Sequence, residues 1–157
     1  MKKGFFSALL LSAIVFLSSC GDSAGYVNEV LVAKSDKVVD LMEKAGGYIQ
    51  DDEYDNAVAY LDSVSIYIET SKPLISALKN KSAEAFQKAT LEYMDLFAEG
   101  TVDYKKAIEL YKTAEDNDQM EQANNLINNF VDKTQAKLTE MQGIQEEFAK
   151  ANGITLR

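Results

Sequence analysis

Phe86–Ala114 reads FQKATLEYMDLFAEGTVDYKKAIELYKTA. Its apolar and small residues Phe86, Ala89, Tyr93, Phe97, Gly100, Tyr104, Ala107, Ile108, Tyr111 and Ala114 recur at three- and four-residue steps. That spacing keeps them on one stripe of an α-helix, whereas a half-buried strand would need alternation by two. From Tyr93 to Ala114 the steps run 4, 3, 4, 3, 4, 3 without a slip. Gly100 lowers helix propensity by about 1 kcal/mol, yet it falls on the seam itself. A glycine there lets a neighbouring helix or an aromatic ring approach closely. The stretch predicts one continuous helix, Ser82 to about Glu115; a break at Gly100–Thr101 is the alternative.

Working outward, Asp116, Asn117 and Asp118 supply a turn and a cap. Beyond them Met120, Ala123, Ile127, Phe130, Val131, Thr134, Leu138, Met141, Gln145, Phe148 and Ala149 form another stripe. Asn152-Gly153 reads as its C-cap, with Ile154 placed for the usual apolar contact. Upstream, Asn80-Lys81-Ser82 reads as a turn with Ser82 capping. Before it, Tyr54, Ala57, Val58, Leu61, Val64, Ile68, Ile75 and Leu78 keep phase across Pro73. One kinked helix follows; a restart with Ser71 as cap and Pro73 near its first turn is the alternative. The first stripe is Val27, Val30, Leu31, Val38, Leu41, Met42, Ala45, Tyr48 and Ile49. Gly46 and Gly47 fall opposite it, on the solvent side, and Asp51 and Asp52 offer N-caps for the second helix. Four long stripes, short turns and no strand pattern predict an all-α fold, an antiparallel up-down-up-down four-helix bundle over residues 26–157.

Composition removes several functions. There is no histidine, so the commonest general base and metal ligand are missing, with every Ser-His or Cys-His arrangement. The one cysteine, Cys20, permits no disulfide within the chain and no cysteine-based zinc site. Acids outnumber bases, 25 to 16. Such a chain repels phosphates, so nucleic acid is not an expected partner.

Residues 1–20 have a different character. Lys2-Lys3 precede a run from Phe5 to Leu17 that is nearly all apolar or small, ending in Leu17-Ser18-Ser19-Cys20. The run is too short for an ordinary spanning helix and suits a signal segment. Leu17–Cys20 resembles the lipobox of bacterial lipoproteins. The resemblance implies cleavage between Ser19 and Cys20 and diacylglycerol on the Cys20 sulfur, usually with a third acyl chain, palmitate in class, on the new amine. Two or more chains anchor stably. Residues 1–19 are then a signal peptide and 20–25 a lipidated tether. Gly21 replaces the aspartate that often retains such proteins at the inner membrane, so the outer membrane of a bacterial envelope is the better expectation. Without Lys2 and Lys3 the remainder has 14 bases against 25 acids, a net charge of −11. Residues 26–157 are similar to small helical-bundle envelope lipoproteins, a likeness that transfers no active-site residue.

The up-down topology places the tether, the 80–82 turn and the C-terminus at one end. That end carries Lys79, Lys81, Lys150 and Arg157; the other gathers Asp51, Asp52, Glu53, Asp55, Glu115, Asp116, Asp118 and Glu121. The expected domain is polarised, its basic end toward an acidic membrane surface. Asp51, Asp52, Asp116 and Asp118 are weak candidates for a calcium site, since turn carboxylates suit that ion. They lack the spacing and glycine of an EF-hand loop, and capping explains them equally well. Tyr48, Tyr54, Tyr93, Tyr104 and Tyr111 lie on or beside buried stripes, as core or as the lining of a ligand slot. Met42, Met94, Met120 and Met141 read as core filler. Glu53–Val58 and Asp103–Ile108 both look like a fragment of a tetratricopeptide helix, but their offset of 50 does not fit that repeat, whose period is about 34.

The leading expectation is a non-enzymatic envelope lipoprotein, held to a membrane through Cys20, with a structural or protein-binding role toward an envelope or extracellular protein. A small-molecule carrier binding between the helices is the alternative, favoured if a pocket of several hundred Å³ exists. No cofactor and no catalytic residue is assigned. Enzyme activity would require acids such as Glu109 or Glu115 in a concave site.

Overall fold

Each stripe becomes a helix: α1 Ala24–Gln50, α2 Tyr54–Ser76, α3 Glu84–Thr113 and α4 Asn117–Ala151, with a short 3-10 turn at Lys81–Ala83 before α3. The computed structural model describes residues 21–156. Arg157 and the leader with Ser19 and Cys20 lie outside them. The helices form an antiparallel up-down-up-down four-helix bundle. Val27, Leu31, Val38, Leu61, Val64, Ile75, Phe86, Met94 and Ile108 are fully or nearly fully buried in its core. Among the described residues no helix is long and apolar enough to cross a membrane.

α3 runs unbroken through Gly100, and α2 unbroken through Pro73, which sits in its last turn. Gln87 donates its side-chain N–H to the carbonyls of Ile75 and Leu78, closing the end of α2. Ion pairs lace α2 to α3: Lys112–Asp55 at 2.9 Å, Lys105–Asp62 at 2.6 Å, and Lys72–Asp95. All are exposed on at least one side, so each contributes little.

Several local expectations change. Asp51 and Asp52 do not cap α2; Asp51 ends α1, and Asp52 adopts the left-handed conformation (φ 59°) that reverses the chain. Glu53 holds the N-cap position without a side-chain bond to α2. Ser82 does not cap α3 either. The Asn80 side chain accepts from the Ser82 N–H at 3.0 Å and heads the 3-10 turn. Asp116 does cap α4, accepting from the Gln119 N–H at 3.0 Å. Gly153 takes a positive φ of 66°, which glycine adopts without strain, and the Ile154 N–H reaches back to the Ala149 carbonyl at 2.8 Å. Met120 and Val131, expected on the buried stripe, are 43% and 48% exposed. α4 packs chiefly on α3, so residues on the α1 side of its stripe find no partner over part of its length.

The chain before α1 is less free than a tether. Asp22 exchanges backbone and side-chain bonds with the α2–α3 connection. Its N–H donates to the Lys79 carbonyl at 2.9 Å, its carboxylate accepts from the Lys79 N–H at 2.7 Å, and its carbonyl accepts from the Asn80 side chain at 2.8 Å. Ser23 then caps α1. A Cβ on Gly21 would collide with the Lys79 carbonyl oxygen. The bundle therefore begins at Asp22 and not at Tyr26. At this same end Ser82 Oγ donates to Asn152 Oδ1 at 3.0 Å, joining the α2–α3 connection to the end of α4.

At the opposite end the Tyr54 and Tyr111 rings stack at 6.2 Å beside the Lys112–Asp55 pair. That places the two acidic turns together, away from Lys79, Lys81 and Lys150.

Candidate functional site

The site begins with an unequal closure of the bundle. α1 and α4 meet over only a short stretch near the Asp22 end. There Gln145 donates to Asn28 Oδ1 at 3.0 Å, and the Met141 sulfur lies 4.0 Å from Ser35 Oγ and 3.9 Å from Thr90 Oγ1. Past Val39 the two helices part, leaving a cleft of about 430 Å³. One wall is Val39, Met42, Glu43, Gly46, Gly47 and Gln50 of α1. The other is Phe130, Val131, Thr134, Gln135 and Leu138 of α4, with Tyr93, Phe97 and Tyr104 of α3 behind them.

The aromatic back wall is built around a glycine. A Cβ on Gly100 would lie 2.9 Å from Phe130 Cζ and closer still to the ring's Cδ2 and Cε2. Only a hydrogen at residue 100 lets that ring lie on α3. There it stands edge-on to Phe97 at 5.3 Å and Tyr104 at 5.4 Å. Tyr93 meets Phe97 edge-on at 4.9 Å. Four rings thus form a continuous, largely buried cluster of the T-shaped kind that aromatic pairs favour.

The polar side chains of the lining are Glu43, Gln50, Thr134, Gln135 and the hydroxyls of Tyr93 and Tyr104. Tyr93 and Tyr104 are buried, at 2% and 7% exposure, and no hydrogen-bond partner for either hydroxyl exists among the described residues. Burial pushes both up to about 12; for Tyr93 the charges of Asp36 and Glu43 add to the effect. Both phenols are therefore neutral donors at physiological pH. Glu43 is the one charged residue in the lining. Asp36, seven residues earlier on α1, shares its face; both acids are exposed, and desolvation against the helix surface raises the Asp36 carboxyl above the usual range. Among the described residues no lysine or arginine lines the cleft.

On α1, Gly46 and Gly47 are not simply solvent-side residues. Gly46 is half-buried, Gly47 is exposed, and both border the cleft with nothing within 4 Å of where a Cβ would stand. They lower the wall there.

Of the five tyrosines, Tyr93 and Tyr104 reach this cleft. Tyr48 packs on Tyr60 at 5.3 Å, and Tyr54 with Tyr111 belongs to the far end, so the five do not converge on one slot. The four candidate calcium ligands have other partners or stand exposed. Asp52 accepts from the Tyr54 hydroxyl at 2.8 Å, Asp116 caps α4, Asp51 ends α1, and Asp118 is exposed in the first turn of α4. Among the described residues no three His, Cys, Asp or Glu converge to hold an ion. Glu109 and Glu115 are exposed and do not border the cleft. Compared with known protein families, curated proteins and solved structures, the chain matches none. The fold and site define a four-helix bundle with a lateral, aromatic-backed cleft.

Proposed function

We propose that the protein is a non-enzymatic binding protein of a bacterial envelope, anchored through lipid on Cys20, that takes a small molecule into the cleft between α1 and α4. The observation that carries this reading is the cleft itself. Its volume of about 430 Å³ falls within the range of small-ligand sites, which are mostly apolar with a few placed polar groups. Two neutral phenols, the Glu43 carboxylate, Gln50, Thr134 and Gln135 around the margins of four aromatic rings fit that description. The signal segment and lipobox support the anchor, with outer membrane the favoured address. The bonds from Asp22 to Lys79 and Asn80 support a bundle held close to its membrane, with Lys79, Lys81 and Lys150 nearest the lipid.

A structural or protein-docking role is the second reading. It is favoured by Ile66 and Val102, exposed at 62% and 66% on adjoining turns of α2 and α3 beside the Ser65–Thr101 contact at 3.3 Å. Isolated exposed apolar residues are common on surfaces, so the cleft is the stronger feature.

Fractionation of cells carrying the wild type or Cys20→Ala, with a radiolabelled palmitate feed, tests the anchor. Wild type is expected in the membrane fraction with label, the variant without either. A variant that stays membrane-bound would overturn it. For the cleft, Gly46→Leu places a side chain into open space; it should abolish binding of an apolar reporter dye while keeping the helical circular dichroism. Unchanged dye binding would count against the cleft.

A further inference from the structure

Resting on the cleft reading, we infer that the ligand is a small organic cation, an ammonium group carried on an apolar or aromatic body. Three features of the cleft converge on that chemistry. The first is its back wall. The four rings Tyr93, Phe97, Tyr104 and Phe130, each no more than 7% exposed, reach the cleft with their margins, and there they offer a desolvated cation the attraction of an aromatic quadrupole and its body a small apolar area.

The second is charge complementarity. Among the described residues Glu43 is the lining's only charge, Asp36 lies outside the lining about two helical turns away on the same face, and both act on the Tyr93 hydroxyl. Among the described residues neither carboxylate has an ion-pair partner. Asp40, on the other flank of α1, holds both Lys37 and Lys44, and Glu92, Asp95, Asp55 and Asp62 are all paired. Desolvation works against the charge on Asp36 although the residue is exposed, and a bound cation would offset it.

The third is what the cleft lacks. No lysine or arginine among the described residues borders it, so an anionic ligand would meet only repulsion from Glu43 and Asp36. Neutral phenols at Tyr93 and Tyr104 leave hydroxyl oxygens free to accept from an ammonium N–H.

Trimethylammonium and ammonium groups occur on lipid headgroups as well as on free amines. The position of the cleft favours the free molecule. Val39 begins it fifteen residues into α1, which at 1.5 Å per residue is about 22 Å from the end where Asp22 leads back to Cys20. With the bundle standing on that end, a headgroup of the anchoring membrane does not reach that far.

The test is isothermal titration of the full lipidated chain in phosphatidylglycerol nanodiscs, with empty discs subtracted. Three matched probes are used: 4-phenylbutylammonium, 4-phenylbutanol and 4-phenylbutanoate. The ammonium is expected to bind at least ten-fold tighter than the alcohol, with the carboxylate not binding. Glu43→Gln combined with Asp36→Asn should bring the ammonium down to the affinity of the alcohol, and Gly46→Leu should remove both. Repeating the titration in phosphatidylcholine discs tests the lipid source; equal affinity is expected, and competition from choline headgroups would overturn the free-ligand assignment. If the alcohol or carboxylate binds as well as the ammonium, and Gly46→Leu still abolishes binding, the cleft stands and the cation is wrong. If no probe binds, or Gly46→Leu changes nothing, both fall.

Discussion

Gly100→Ala tests the packing on which the cleft depends. A methyl at residue 100 would sit 2.9 Å from Phe130 Cζ and nearer to two other ring atoms, where carbon pairs normally rest at about 3.5–4.0 Å. Phe97 and Tyr104 stand edge-on to the ring at 5.3 and 5.4 Å, so it can yield only toward the cleft and at the cost of both ring pairs. Overpacking of this kind costs about 1–3 kcal/mol, and disrupting either edge-on ring pair adds about 0.5–1.5 kcal/mol. Against this the helix gains about 1 kcal/mol from replacing glycine by alanine. The net expectation is a destabilisation of about 1–3 kcal/mol. With Phe130→Ala already in place the collision is gone, and the same Gly100→Ala change should stabilise by about 1 kcal/mol through propensity alone. The effect thus reverses sign between backgrounds, a coupling of about 2–4 kcal/mol. Urea unfolding of the four proteins, followed by far-ultraviolet circular dichroism, measures it. If Gly100→Ala stabilises the chain with Phe130 present, or has the same sign in both backgrounds, the close approach of α4 to α3 is not what the glycine serves.

Three further outcomes rest on single features. Ser71 Oγ is buried at 1% exposure with no partner among the described residues; Ser71→Ala should raise stability by about 1 kcal/mol by removing an unsatisfied group, and a fall in the urea midpoint would mean that the hydroxyl is satisfied. Gly21→Ala places its Cβ against the Lys79 carbonyl; it should break the Asp22–Lys79 bonds, speed hydrogen exchange at both amides and cost about 1–2 kcal/mol, whereas unchanged exchange would show that the segment is not clamped. Tyr93 and Tyr104 ionise near 12 in the folded chain and near 10 when unfolded. Between those values the unfolded chain releases protons that the folded chain keeps, so stability falls as pH rises, by about 2–3 kcal/mol per ring. Tyr93→Phe should remove about half of that slope, and a slope unchanged in Tyr93→Phe would refute the desolvation of the Tyr93 side chain.

Periodicity made the helices legible because burial repeats along a stripe regardless of what the stripe meets. It carried α3 across Gly100 and α2 across Pro73, and it anticipated that residue 100 admits a ring. Capping at Asp116 and the turn at Asn152–Ile154 were legible because each needs one residue type in one place. The turn at 51–53 was not. Asp51 and Asp52 both suit an N-cap, and only the backbone decides that Asp52 enters the left-handed region instead. Nor was the clamp at Asp22, whose partners lie 57 and 58 residues away. The cleft was illegible for a deeper reason. A stripe states which face is apolar, not how far apart two helices settle. That distance follows from crossing angles and from the volumes that meet. Met120 and Val131 therefore looked like core, and Gly46 and Gly47 like solvent face.

The glycines at 46–47 and at 100 are the same residue put to opposite uses. Each lowers helix propensity by about 1 kcal/mol relative to alanine. At Gly100 that penalty is offset by the burial of Phe130, which is 5% exposed and touches two rings. At Gly46 and Gly47 nothing approaches within 4 Å of a Cβ position, so no packing compensates a combined penalty of about 2 kcal/mol in α1. Gly143 of α4 also faces open space, so an isolated glycine of this kind carries no message. The adjacent pair differs in place: it borders the cleft, opposite the ring that Gly100 seats. A bundle under pressure for stability alone would fill residues 46 and 47 with alanine or leucine and close α1 onto α4. Keeping them bare leaves the cleft open at the margins of four otherwise buried rings, and the same α1 face holds Asp36 and Glu43, which have no ion-pair partner among the described residues. Local instability and unpaired charge thus coincide at one opening, as expected where a bound ligand and not the fold supplies the missing interactions.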